Sequence, residues 1–295
     1  MGRWFYESFG LRMNDYLAAI VLGVVEGLTE FLPVSSTAHI RFTQKLLDLP
    51  TESDYWKMFA IVIQLGAILS VLVYFRQRLW SFITDFVRKL SSSKSDVQPA
   101  KPLWQHPLVL VLIAFVVTAI PCYLIDDKIG EQLERIPVMA WALIIGGIAM
   151  WFIDWVFSPK AKTQLMDDIS LKQSLFIGFT QIIAAAFPGT SRSMATIAGG
   201  QIVGLSRSAA LEFSFFLSIP VMFAATGFKL LQFLLKSSVQ FSFHDGVVLA
   251  IGFFVSFVVA LGVIAWFMHW VRRQGFLPFA IYRIIAGIAV LLWLK

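Results

Sequence analysis

The sequence predicts an all-α polytopic membrane protein built as an inverted repeat, each half a re-entrant helix pair followed by three transmembrane helices. Three observations carry this expectation. Apolar residues fill 58% of the 295 positions and charged residues only 14%, with a mean hydropathy of +0.76, whereas a soluble globular chain carries about 25% charge. Apolar runs of about 20 residues, long enough to cross hydrocarbon, recur along the chain. A helix–break–helix pattern also occurs twice, each time ahead of three such runs.

The elements follow in order. Residues 1–14 mix Trp4, Phe5, Tyr6 and Phe9 with Arg3 and Arg12, the composition of an interfacial helix. Asn14 and Asp15 can cap a helix over 16–32, which Pro33 stops. Its apolar run is followed by Glu26 and Glu30 rather than a small-residue cleavage site, so it reads as mature protein. Ser35, Ser36 and Thr37 offer caps for a second short helix reaching about residue 47. Spans are expected near 55–75, 108–125 and 138–157, with a Ser-, Pro- and Lys-rich linker at 91–107. The second broken pair covers 171–187 and 194–204 around Pro188-Gly189-Thr190-Ser191-Arg192-Ser193, and spans near 207–235, 247–270 and 277–294 close the chain. Cys122, the one cysteine, lies in an apolar run and reads as a small packing residue.

The chain is thus read as a single membrane domain, 1–295, with repeat one at 15–157 and repeat two at 171–294. At an offset of 155 residues, Gly23 pairs with Gly178, Glu26 with Gln181, Pro33 with Pro188, Ser35 with Thr190 and Ser36 with Ser191. A returning helix pair does not change sides of the membrane and three spans do, so the second half is expected to be inverted relative to the first. Arg76, Arg78, Arg88, Lys89, Lys94 and Lys101 place loop 76–107 in the cytoplasm. The first pair then enters from outside, the second from inside, and their tips meet within the membrane. Because the basic residues sit in loops between spans, the net charge of +6 belongs to topology and not to nucleic-acid binding.

Glu26 and Glu30 share a helix face about one turn apart. Two carboxylates at membrane depth need a cation, a proton or a basic partner, so they are candidates for a metal site, a general base, or both, unless they form a surface pair at the interface. The hydroxyls of Ser35, Ser36 and Thr37 are ordinary caps one by one, but beside two glutamates and His39 they suggest acid–base or nucleophilic work. Arg192, between Ser191 and Ser193 after a Pro-Gly break, suits an anion at a helix start, where free N–H groups also favour phosphate. A stabilising ion pair with Glu30 or Glu26 is the other reading. Arg207 is expected to be a cytoplasmic-side anchor, and Glu212 and Arg283 to pair structurally or orient the tips.

Residues 26–39 (EGLTEFLPVSSTAH) and 188–193 (PGTSRS) resemble the two signature motifs of the bacterial undecaprenyl-diphosphate phosphatase family, associated with bacitracin resistance. Residues 63–69, 212–215 and 278–283 resemble the family as well, so the likeness runs over nearly the whole chain. Ala38, Met194 and Ala60 depart from it, standing where a glycine, a glycine and a glutamate are usual. The resemblance implies an interdigitated inverted-repeat fold in the bacterial inner membrane. It also implies release of phosphate from a C55 isoprenyl diphosphate, which recycles the lipid carrier of cell-wall synthesis. The site would open to the periplasm and require Mg²⁺ or Ca²⁺. It assigns metal or acid–base work to Glu26 and Glu30, makes Ser36 or His39 the nucleophile, and makes Arg192 with Ser191 the phosphate binders; Ser35, Thr37 and Ser193 join them as neighbouring hydroxyls. Expected partners are the polyprenyl diphosphate, the membrane and a second copy in a homodimer. The rival readings are a secondary transporter or lipid flippase on the same architecture, and a catalytically weak lipid-binding relative.

Overall fold

The computed structural model describes residues 14–50, 53–91, 102–125, 135–236 and 242–293. The expected interfacial helix before residue 14 lies outside them. Eleven α-helices are found among the described residues: α1 (Asp15–Thr29), α2 (Ser36–Leu46), α3 (Asp54–Tyr74), α4 (Arg76–Ser91), α5 (Pro107–Ile125), α6 (Ile136–Phe157), α7 (Leu171–Ala186), α8 (Arg192–Ile202), α9 (Arg207–Lys236), α10 (Phe243–Gln274) and α11 (Leu277–Trp293). The protein is an all-α polytopic membrane protein. Five helices, α3, α5, α6, α9 and α10, are long and apolar enough to cross a bilayer, and α11 and α7 are shorter apolar helices of 17 and 16 residues.

Length separates the broken pairs from the spans. At about 1.5 Å per residue, the 15 residues of α1 reach about 22 Å and the 11 residues of α2 or α8 about 16 Å, short of a core about 30 Å thick. Asn14 caps α1 as its sequence position suggests, its side chain accepting from the Tyr16 N–H at 3.1 Å. The helix ends at Thr29, although Glu30 still keeps helical backbone angles; the bias of proline against helical backbone falls on Leu32, directly before Pro33. Ser170 starts α7 with a capping box closed by Gln173.

Residues 76–91 correct the sequence reading, which took them as loop. They form α4, whose Trp80, Ile83, Val87 and Leu90 share one exposed stripe while Phe82 is buried on the other side against Phe216 and His106. The basic residues there mask a 3.6-residue apolar period. Arg78 pins the helix to Asp167 at 2.7 Å and Glu212 at 3.3 Å, so Glu212 forms a structural pair with Arg78. Arg207, at the start of α9, makes a two-pronged pair with the buried Asp154 of α6, at 2.7 and 2.8 Å.

The short pairs are held by long helices far away in sequence. α1 packs along α10, and α7 packs along α5. Gly23 and Gly178 make both approaches close: a Cβ on Gly23 would come within 2.8 Å of the Gly252 carbonyl oxygen, and one on Gly178 within 2.6 Å of that of Ala114. In a bilayer, where lipid is as apolar as leucine, such backbone proximity and the dispersion contacts it allows replace the hydrophobic drive for association. Ser35 and Ser191 occupy equivalent places, each preceding an 11-residue helix with φ of 73° and 76°. The two breaks therefore match at an offset one residue longer than the pairing of Ser35 with Thr190: one residue separates Pro33 from Ser35, and two separate Pro188 from Ser191.

Candidate active site

Both breaks lie against one apolar cluster, which takes Phe31 and Val34 from the first and Met194 and Ile197 from the second, with Phe213 and Phe215 of α9 between them. Phe31 meets Phe215 edge-on at 5.5 Å. Met194 is buried in this cluster and also lines a second cavity, of about 450 Å³, together with Thr190.

The two tips are tied together by polar groups as well. Arg283 of α11 is fully buried and donates to carbonyl oxygens from both: Pro33 at 2.9 Å on one side, Thr190 at 2.9 Å and Gly189 at 3.3 Å on the other. Ala142 and Leu143 of α6 accept from it too, at 3.1 and 3.3 Å. Non-helical backbone at membrane depth leaves carbonyls without water, and one guanidinium with five N–H donors satisfies several at once. The expectation that Arg283 orients the tips is met by this geometry. Ser193 adds a second tie, donating to the Leu32 carbonyl at 2.9 Å.

Between the tips, Glu30 is the hub. It stands at the C-terminal cap of α1, its N–H bonded to the Glu26 carbonyl at 2.9 Å, which stacks the two side chains one turn apart. One carboxylate oxygen accepts the Ser36 hydroxyl in a short hydrogen bond. The other receives Arg192 Nη2 at 3.3 Å, across 162 residues of sequence. The positive φ at Ser35 turns the chain so that Ser36, the first residue of α2, aims its hydroxyl back at Glu30; Ser35 itself makes no side-chain cap bond. A strained non-glycine residue of this kind at a functional turn is a stored constraint.

Unsatisfied atoms mark where a ligand belongs. Glu26 Oε1 and Arg192 Nε are both buried without a hydrogen-bond partner among the described residues. An acceptor and a donor left open within one site are costly unless something binds there. Arg192 Nη1 reaches only the Ser214 carbonyl, at 3.4 Å. Glu26 and Ser36 also form part of the wall of a cavity of about 550 Å³, into which Thr37 opens as an exposed residue.

The other expected residues are placed differently. His39 lies in the first turn of α2, as expected, but its Nδ1 donates to the Ser35 carbonyl at 2.7 Å. In the neutral ring its Nε2 therefore accepts from the Tyr282 hydroxyl, 2.7 Å away, and the two rings stack. Ser191 caps α8 by accepting from the Met194 N–H at 3.3 Å and bonds the Ser193 hydroxyl at 3.0 Å. Tyr282 and Ser214 touch site residues and were not singled out by sequence reasoning, although both fall in segments that carry the family resemblance.

Among the described residues no group of three or more His, Cys, Asp or Glu side chains is placed to hold a metal. Two carboxylates suffice for a hard cation that takes its remaining ligands from substrate phosphates and water. Glu26, with its open buried oxygen, and Glu30 fit that donor set.

Comparison with known proteins agrees with this geometry. Residues 19–289 match the family described as Bacitracin resistance protein BacA. The chain is 52% identical to the undecaprenyl-diphosphatase of Koribacter versatilis, over 95% of this chain and 99% of that protein. It is 41% identical to the protein of the same name from Wolinella succinogenes (95% and 98% covered) and 40% identical to that of Caldanaerobacter subterraneus subsp. tengcongensis (95% and 97%). With both of its motifs folded into one buried site, and with a match that spans nearly its whole length, the chain belongs to the bacitracin resistance protein BacA family.

Proposed function

We propose that this chain hydrolyses undecaprenyl diphosphate to undecaprenyl phosphate and inorganic phosphate, returning the lipid carrier to cell-wall synthesis and conferring bacitracin resistance. The observation that carries the reading is the Glu30 hub: a serine hydroxyl and an arginine meet on one buried carboxylate, with an open donor and an open acceptor beside them.

The reaction needs positioning and charge stabilisation more than covalent chemistry. Ser36 Oγ attacks the terminal phosphorus while its proton passes to Glu30, which already accepts that hydrogen bond. The bond from phosphorus to the bridging oxygen breaks, and the electron pair leaves with the lipid phosphate. Arg192, released from part of its pairing with Glu30, presents Nε and Nη2 as a fork to two phosphoryl oxygens. The departing lipid phosphate takes the serine proton from Glu30. Water then attacks the phosphoserine phosphorus; Glu30 takes the water proton and passes it to the departing Ser36 Oγ as the Oγ–P bond breaks, and inorganic phosphate leaves. Glu26 and Glu30 would hold Mg²⁺ or Ca²⁺, whose contribution is to neutralise phosphoryl oxygens. Attack by Ser36 is favoured over attack by His39, because both ring nitrogens of His39 are engaged away from Glu30.

This reading includes an inverted second half and a site that opens toward the periplasm in the inner membrane. The support is positional: the cavity takes Asp54 and Lys57 from the start of α3, whereas the basic residues of α4 follow its other end. Both tips come from one chain, so the site is complete without a second copy. A homodimer would join copies through lipid-facing helices.

Purified protein with undecaprenyl diphosphate, assayed for phosphate release with and without chelator, tests the proposal. Release that stops with chelator and returns with Mg²⁺ or Ca²⁺ is expected. Movement of labelled lipid across vesicles without hydrolysis would instead identify a transporter, and binding alone an inactive relative.

A further inference from the structure

Ser214 lies in an aromatic run of α9, between Phe213 and Phe215, and is fully buried, as is Thr196 of α8. A hydroxyl in such surroundings is costly unless it is bonded. The other buried hydroxyls of α9 close onto their own helix, Ser218 donating to the Phe215 carbonyl and Thr226 to that of Met222. Ser214 instead bonds across to α8, its Oγ 2.7 Å from Thr196 Oγ1. Thr196 Oγ1 also lies 3.0 Å from the Arg192 carbonyl oxygen and 3.1 Å from that of Ser193. Each hydroxyl carries one proton, which settles the direction. The carbonyls can only accept, so Thr196 donates to them and accepts from Ser214. The Ser214 carbonyl holds the other end of the same arginine: it accepts from Arg192 Nη1 at 3.4 Å, while Nη2 reaches Glu30 at 3.3 Å and Nε stays open and buried. The backbone and the guanidinium of Arg192 are thus both referred to one residue of α9. Phe215, next in the chain, meets Phe31 edge-on at 5.5 Å, and Phe31 follows Glu30. Two consecutive residues of α9 therefore fix the two sides of an ion pair that joins the tips.

We propose that Ser214 and Thr196 are positioning residues that aim the Arg192 fork at the transferring phosphoryl group. This inference rests on the reading of Arg192 as the phosphate clamp and adds what aims it. Neither hydroxyl touches substrate; both act through Arg192. An arginine side chain is long and rich in rotamers, and a single ion pair with Glu30 leaves it several geometries. The hold on Nη1 and on the first turn of α8 leaves the Nε–Nη2 edge free to exchange Glu30 for phosphate without the side chain swinging away. Such control matters because a misplacement of about 1 Å can cost about 10² in rate.

The test measures kcat and KM for undecaprenyl diphosphate, and thermal unfolding, in detergent for Ser214→Ala, Thr196→Val and Thr196→Ser, each in the wild-type and in the Arg192→Lys background. Ser214→Ala removes the hydroxyl and keeps the carbonyl contact; its kcat should fall about tenfold to a hundredfold while KM stays within about twofold. Thr196→Val should lose as much, and Thr196→Ser, which keeps the hydroxyl, should retain wild-type turnover. In the Arg192→Lys background there is no fork to aim, so the same substitutions should cost about twofold or less. Equal losses in both backgrounds would make the pair a general support of the fold and overturn the proposal. Unchanged kcat in folded variants, with or without a lower melting temperature, overturns it too, as does a change confined to KM. If Ser214→Ala does not fold, Thr196→Val set against Thr196→Ser decides. Near-normal turnover by Arg192→Lys itself would remove the fork and this proposal with it, whereas absence of phosphate release by the wild type would count against the diphosphatase reading.

Discussion

The Ser36 hydroxyl donates its hydrogen bond to Glu30, six residues earlier across the break between α1 and α2. Helical spacing alone would not aim these groups at one another; the left-handed backbone at Ser35 does. The pair is a nucleophile and its proton acceptor already in contact, with Arg192 on the same carboxylate to orient it.

Ser36→Ala should therefore reduce phosphate release to background while leaving the fold intact, since Ser36 donates to a side chain and caps nothing. In the wild type, rapid quenching should trap an acid-stable phosphoenzyme that is missing from the variant. An acid-labile adduct would point to His39, and no adduct at all to direct attack by water.

Arg192→Lys should be far from conservative. Lysine keeps the charge and can still pair with Glu30, but it loses the planar fork that holds two phosphoryl oxygens. If the fork acts mainly in the transition state, kcat and kcat/KM fall together, by about 10²–10³ as for loss of one oxyanion donor. Near-normal turnover by a well-folded variant would leave Arg192 with only its ion pair.

Arg283 should behave as a positioning residue. Arg283→Lys removes the reach that joins the Pro33 carbonyl to those of Gly189 and Thr190 and leaves buried acceptors unmet, each worth about 1–3 kcal/mol. Thermal unfolding in detergent should shift down by several degrees. Among molecules that stay folded, kcat should drop more than substrate affinity, because the tips lose alignment before they lose contact. A lower melting temperature with unchanged kcat would make Arg283 purely structural.

Opposite entry of the two pairs is checked by labelling. Cysteines placed at Ser91, the last residue of α4, and at Arg135, before α6, are separated by the single span α5. An impermeant reagent should reach them from opposite sides of intact vesicles, with Ser91 on the cytoplasmic side. Labelling of both from one side would remove the inversion.

The sequence by itself determined what depends on neighbours in the chain. Hydropathy and run length gave the membrane class and five of the six expected spans, the sixth forming the shorter apolar helix α11, and Pro33 and Pro188-Gly189 gave the two breaks. The four-residue spacing of Glu26 and Glu30 gave a shared face. These are local properties, fixed by the periods of the helix and by residues that interrupt it. The amphipathic helix α4 was legible in the same way, but its arginines and lysines drew it into a loop. The tertiary structure alone decided which groups meet. Arg192 reaches Glu30 rather than Glu26, and Arg283 clamps both tips through carbonyls that no side-chain pattern reveals. His39 turns to Tyr282, 243 residues on, and one cavity wall takes residues from α2, α3 and α9. Such pairings depend on two backbone turns at Ser35 and Ser191 and on how closely α1 and α7 approach α10 and α5. An error of one residue in register there, like the extra residue between Pro188 and Ser191, moves a side chain to another face.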